Sequence, residues 1–138
     1  MTENRLVYPP RMTAFTQPFW DGLREDRFQT TRCRDCAHMT FPPKPVCPEC
    51  WQSDVEWVQL SGRGTLASYT EVSAAPQMFA HEAPYTLCIV DLDEGVRCVS
   101  RVLADWDDLV PDARVRVTMR AAEPTYLFEF VLDEEENR

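Results

Sequence analysis

The sequence predicts a mainly β fold: an N-terminal helix, a four-cysteine ribbon, and then a small five-stranded barrel. Three observations predict it. Phe15, Phe19, Trp20 and Leu23 recur at helical spacing near the start. Cys33, Cys36, Cys47 and Cys50 form two Cys-x2-Cys pairs separated by ten residues. From Leu60 onward come five short alternating or apolar runs, broken by glycine, proline and acidic turns. The expected divisions are an arm and helix at 1–30, the ribbon at 31–58, the barrel at 59–133 and an acidic tail at 134–138.

Residues 1–12 carry a Pro-Pro pair and no periodicity, so they read as an extended arm. Thr16 is placed to cap the helix through "QPFWDGLRED", with Pro18 in the first turn, where a missing N–H costs little. The apolar face of that helix has two readings. It packs on the protein's own core, or it docks into a partner. "RFQTTRC" then alternates as a strand leading into the cysteines, and "DVEWVQL" alternates after them.

Gly62 and Gly64 near the start of "LSGRGTLASYTEV" suggest a bulge or tight bend of the kind barrel corners require. "SAAPQMFAHEAP" reads as a loop presenting Met78, Phe79 and His81. Strands Tyr85–Leu92 and Val96–Leu103 flank "DEG". A three-residue turn with Gly95 left-handed pairs Val90 with Cys98 and Ile89 with Val99, and sets Asp91 opposite Arg97. "ADWDDLVPDA" is an acidic connector with one helical turn around Trp106 and Leu109, and "RVRVTMR" and "TYLFEFVL" are the last strands. Five strands with a connector between the third and fourth suit a small Greek-key barrel of the OB type.

The cysteine spacing lets each Cys-x2-Cys turn present two thiolates to one ion, and four thiolates close a tetrahedral shell, as in structural zinc ribbons. One structural Zn2+ is expected, with iron in a rubredoxin-like site as the competitor because the ligand set is the same. His38, beside the site, is expected to be a surface residue, since four cysteines already satisfy the metal. The residue after each second cysteine is Ala37 or Trp51 rather than the glycine common in such knuckles. Cys88 and Cys98 share a face with Val90 and Leu92 and read as buried free thiols, with no histidine placed beside Cys88 to make it a nucleophile.

Composition narrows the function. Lys and Arg number 14 against 23 Asp and Glu, a net charge of −9, which argues against a nucleic-acid partner. Arg24, Arg27, Arg32, Arg34 and Lys44 cluster in the first third and suit a small phosphorylated ligand or an acidic protein surface better. No run approaches the roughly 20 apolar residues of a membrane span, and the N-terminus lacks the apolar centre of a secretory signal. No membrane and a cytoplasmic location are therefore expected. There is no phosphate loop, no nucleophile–base pair and no open metal position, so no catalytic residue is assigned.

The order of parts, "PFWDGLRED", "RCRDC", "FPPKPVCPEC", "VEWVQLSGRGTLASYT", "APYTLCIVDLDEGVR" and "TYLFEFVL", resembles the zinc-ribbon plus OB-fold family of acyl-CoA-associated proteins, domain-of-unknown-function family thirty-five. The likeness covers roughly residues 15–132. The chain departs from the family at "VPDARVRV", where a glycine often precedes the fourth barrel strand. The resemblance implies a non-catalytic accessory subunit in a hetero-oligomer with a thiolase-fold enzyme, such as an acyl-CoA thiolase or a retro-aldolase of steroid side-chain degradation. It also implies acyl-CoA at or near the interface and, in some members, a MaoC-like hydratase as partner. Phe15, Phe19, Trp20, Arg63, Met78, Phe79, His81 and Tyr85 are the expected contacts. A free-standing acyl-CoA-binding OB-fold protein is the alternative.

Overall fold

A computed structural model describes residues 10–122 and 124–137, so most of the expected N-terminal arm lies outside the described residues. Helix α1 spans Gln17–Arg24, with Pro18 in its first turn. Thr16 stands at the N-cap position but does not cap with its side chain. Its hydroxyl instead accepts a hydrogen bond from the Thr13 N–H at 2.9 Å, tying the entering chain rather than the helix. Phe19, Gly22 and Leu23 form the buried side of the helix, and Asp26 at φ 62° turns the chain away after it.

A three-stranded antiparallel sheet follows, ordered β2-β1-β3, from β1 (Gln29–Cys33), β2 (Met39–Thr40) and β3 (Val55–Gln59). Buried Thr31 stitches the cysteine loop to it: its hydroxyl donates to the Lys44 carbonyl at 3.2 Å and accepts from the Lys44 N–H at 3.0 Å. Thr30, also buried, donates to the Thr40 carbonyl.

The second sheet holds β4 (Arg63–Val72), β5 (Tyr85–Leu92), β6 (Arg97–Arg101), β7 (Arg114–Ala122) and β8 (Thr125–Leu132), all antiparallel in the order β6-β5-β4-β7-β8. Its ends curl together. Val102 bridges Phe130 in parallel, and the Leu103 N–H donates to the Phe130 carbonyl at 2.8 Å, giving a nearly closed five-stranded barrel. That order, with the third strand meeting the fifth, is the OB arrangement.

The β5–β6 hairpin has the register its turn requires. Val90 faces Cys98, Ile89 faces Val99, and Asp91 pairs with Arg97 at 2.6 Å, with Gly95 at φ 96°. The bulge in β4 lies elsewhere than expected. The register shifts between Leu66 and Ser68, leaving Ala67 as the extra residue. Gly64 serves a close approach instead: a Cβ there would lie 2.6 Å from the Asp91 carbonyl oxygen. The connector makes one 3-10 turn at Trp106–Asp108. Ahead of β7, Asp112 takes a left-handed φ of 65° and donates its N–H to the Leu66 carbonyl at 2.9 Å. Aspartate tolerates that conformation better than most residues.

One core runs through both sheets. Leu66, Cys88, Val90, Val115 and Phe130 fill the barrel, and Phe19, Leu23, Phe28 and Leu60 continue it under the helix. No helix among the described residues is long and apolar enough to cross a membrane.

Candidate metal centre and the adjoining apolar clefts

The two cysteine turns are built alike. Cys33 receives the Ala37 N–H on its carbonyl and donates its own N–H to His38, both at 2.9 Å. Cys47 receives Trp51 and donates to Gln52, also at 2.9 Å. Ala37 and Trp51 both sit at φ 66°, so each knuckle adopts the left-handed turn without glycine, at a strain of order 1 kcal/mol per residue. Backbone N–H groups reach the sulfurs as well, from Cys36 to Cys33 Sγ at 3.5 Å and from Glu49 to Cys47 Sγ at 3.4 Å.

The four sulfurs lie within 4.8 Å of one another, with Cys33–Cys50 at 3.5 Å and Cys36–Cys47 at 3.6 Å. A tetrahedral ion with metal–sulfur bonds of about 2.3 Å would set sulfurs about 3.8 Å apart, so the cluster fits one ion closely. Burial raises the Cys47 thiol, but the N–H groups of Cys50 and Glu49 outweigh it and bring it down to about 7, whereas Cys50, despite the Gln52 N–H, is pushed up to about 12 by burial and the other three sulfurs. His38 supplies its backbone carbonyl here and is not among the clustered ligands. All four positions are protein thiolates, so the bound metal would keep no open coordination position for substrate.

Aromatic rings gather beside the ribbon. Phe19 stacks edge-on against Phe41 at 5.9 Å and Phe128 at 6.0 Å, with Phe28 at 6.3 Å. The helix face therefore divides. Phe19 and Leu23 belong to the protein's own core, whereas Phe15, 5.5 Å from the Trp57 ring, and Trp20 stay half-buried. An apolar cleft of about 490 Å³ opens over this cluster, lined by Phe19, Trp20, Phe41, Pro42, Val99 and Phe128 with Arg11 and Arg97. The indole N–H of Trp20 is buried without a hydrogen-bond partner among the described residues.

A second cleft of about 310 Å³ continues past Trp20 to Phe79, Leu87 and Leu127. The structure thus brings the helix residue Trp20 and the loop residue Phe79 onto one surface. Arg101 organises that end: its guanidinium lies 4.1 Å over the Tyr85 ring and 5.7 Å over Phe79, and it pairs with Glu82 at 2.8 Å. The hydrogen bond and charge of Arg101 hold the Glu82 carboxyl below its usual range despite its burial. His81 is exposed, 3.9 Å from Glu82, and the side chain of Met78 lies outside what is described.

Arg63 lies apart from these residues, exposed and paired with Glu136 at 3.4 Å. The basic cluster of the first third is largely engaged by neighbours: Arg27 with Glu25, Arg32 with Glu56, Arg34 with Asp54, and Arg24 over the Tyr126 ring. Cys88 and Cys98 are buried, and burial pushes their thiols up to about 11 and about 12. Phe41, Phe128, Val99 and Arg101 were not singled out from the sequence. They converge from three separate segments, and only the Phe41-Pro-Pro triplet carries a local signal.

A four-cysteine metal ribbon joined to an OB barrel through an aromatic hinge defines the class of protein. Residues 20–56 match the ChsH2 rubredoxin-like zinc ribbon domain, and residues 57–120 match the ChsH2 C-terminal OB-fold domain. The chain belongs to this DUF35 family. It is 35% identical over 95 residues to a DUF35 domain-containing scaffold protein of Pyrococcus furiosus, covering 68% of this chain and 66% of that one. It is 31% identical over 88 residues to the benzoylsuccinyl-CoA thiolase subunit BbsA of Geobacter metallireducens, covering 64% and 58%. A chain of the solved Ltp2-ChsH2(DUF35) aldolase superposes with a TM-score of 0.78 at 27% identity, over 90% of this chain and 98% of that one. The chain spans between 52% and 66% of the length of the archaeal scaffold proteins it matches.

Proposed function

We propose that this chain is a non-catalytic accessory subunit that binds a thiolase-fold enzyme, an acyl-CoA thiolase or retro-aldolase, and helps form or stabilise its acyl-CoA site. The observation that carries this reading is the likeness to nearly the whole of a chain of the Ltp2-ChsH2(DUF35) aldolase. The relation to a benzoylsuccinyl-CoA thiolase subunit supports it. The chemistry of the chain agrees. A closed thiolate cage and buried, high-pKa thiols suit a scaffold, and the cleft past Trp20 and Phe79 offers apolar area for contact. The ribbon is proposed to hold one Zn2+, since d10 zinc has no geometric preference to oppose a protein-imposed tetrahedron. Steroid-derived acyl-CoA is one substrate class within this reading.

The test is affinity capture of the tagged chain from its own host, with metal analysis and assay on the same sample. The expected result is a thiolase-fold polypeptide in stoichiometric amount, one zinc per chain, and thiolytic or aldol-cleaving activity in the complex that neither chain shows alone. A chain that elutes alone and retains acyl-CoA esters unaided would overturn it in favour of a free-standing binding protein.

A further inference from the structure

We infer that Arg63, Arg114 and Arg116 form an anion site for a phosphorylated ligand, and that the carboxylate of Glu136 occupies this site as an internal stand-in. In the β4–β7 ladder Arg63 lies directly opposite Arg116, and Thr65 lies opposite Arg114. Residues two apart on a strand point the same way, so all three arginines emerge on one face. Like charges directly opposite each other destabilise a strand pair, so this face calls for a counter-charge.

The C-terminal tail supplies it. Glu136 Oε1 lies 3.4 Å from Arg63 Nη1, and its Oε2 lies 2.9 Å from Arg114 Nε. Asn137 anchors the tail against the strand, accepting the Arg114 N–H at 2.7 Å and donating to the Arg114 carbonyl at 2.9 Å. Asp93 engages the other edge of Arg114 with two hydrogen bonds of 2.8 Å. Arg116 is exposed and has no ion pair among the described residues.

Arg63 and Arg116 line a cleft of about 930 Å³ whose other walls include Asp105, Asp108, Asp133, Glu134 and Glu135. With the tail in place the cleft is acidic; displacing it removes Glu134, Glu135 and Glu136 and leaves Arg63 and Arg116, neighbours on one face, with no ion pair among the described residues. Residues 134–137 are exposed, so displacement uncovers no core. The two guanidiniums that donate to this one carboxylate present the N–H groups that a phosphoryl group accepts, and a phosphoryl group brings more negative charge to them.

The test is calorimetric titration of the full chain and variants with inorganic pyrophosphate at low salt, after melting curves confirm folding. Glu136→Gln is expected to bind about five- to tenfold more tightly than the wild type, the loss of one competing charge-assisted contact. Arg63→Gln added to Glu136→Gln should erase that gain. Glu71→Gln, which removes the same charge at the far end of β4, should leave affinity unchanged. Glu136→Gln binding no tighter than Glu71→Gln, or a gain that survives Arg63→Gln, would overturn the proposal. Adenosine diphosphate as a parallel titrant identifies the source. Tighter binding than pyrophosphate assigns a nucleotide diphosphate, and equal binding assigns the phosphoryl pair itself.

Discussion

Replacing Phe19 by alanine should loosen the joint between helix, ribbon and barrel. Phe19 is 4% exposed and has the rings of Phe28, Phe41 and Phe128 around it at 5.9 to 6.3 Å. Removing an aromatic that buries about 150–200 Å² at about 25 cal/mol per Å² costs roughly 4 kcal/mol. That agrees with the roughly 3–5 kcal/mol expected for truncating a buried phenylalanine. The helix has only eight residues and cannot persist without its packing. Urea unfolding of the metal-loaded chain, followed by tryptophan fluorescence, should show a lower midpoint with little change in slope. At about 2.1 cal/mol/K per residue over 138 residues, the melting temperature should fall by about 14 °C. Phe15→Ala, at a half-buried ring, should cost under about 1.5 kcal/mol by the same area argument. A Phe19→Ala loss below about 1 kcal/mol would refute the claim that this ring anchors the helix.

Gly64→Ala should destabilise by about 2–3 kcal/mol in a thermal melt, because the new methyl meets the Asp91 carbonyl oxygen at 2.6 Å and Val90 Cγ1 at 2.7 Å. An unchanged melt would mean that β4 and β5 separate easily. Removing the metal with a strong chelator should lower the melting temperature and restore it on adding one equivalent of ion, as read by circular dichroism with metal analysis. An identical melt for the chelated chain would show that the cage is not structural. Glu82, held below the ordinary carboxylate range by Arg101, contributes stability that is fully present above that range and lost as pH falls below it. Glu82→Gln should therefore flatten the urea midpoint between about pH 5 and 3, by an amount worth under about 1 kcal/mol for a pair that solvent reaches. A wild-type acid slope retained in the variant would place the titrating group elsewhere.

The features legible in the sequence are those set by short-range chemistry. "DEG" between two alternating runs dictates a turn, and the turn dictates every pair from Ile89–Val99 to Asp91–Arg97. The cysteine spacing likewise foretold four sulfurs in one cluster. What could not be read depends on distant segments meeting. The bulge fell at Ala67, where β4 must bend to pair with β5 and β7 at once, and the glycines upstream signalled only where backbone comes close. Thr16 had the right residue type for a cap, but Thr13 competed for its hydroxyl. In the sequence the tail at 134–138 shows only its run of glutamates. Its link through Glu136 and Asn137 to Arg114 spans more than twenty residues and leaves no local trace.

The likeness of the two cysteine knuckles extends to their depth. In each arm the first cysteine, Cys33 or Cys47, is buried, and the second, Cys36 or Cys50, lies nearer to solvent. The cage therefore has an inner and an outer half, and each half draws one sulfur from each arm. An oxidant or competing chelator meets the outer sulfurs first, so damage would begin at Cys36 or Cys50 while the inner pair still grips the ion. The order of attack is thus written into the way two similar turns face one another.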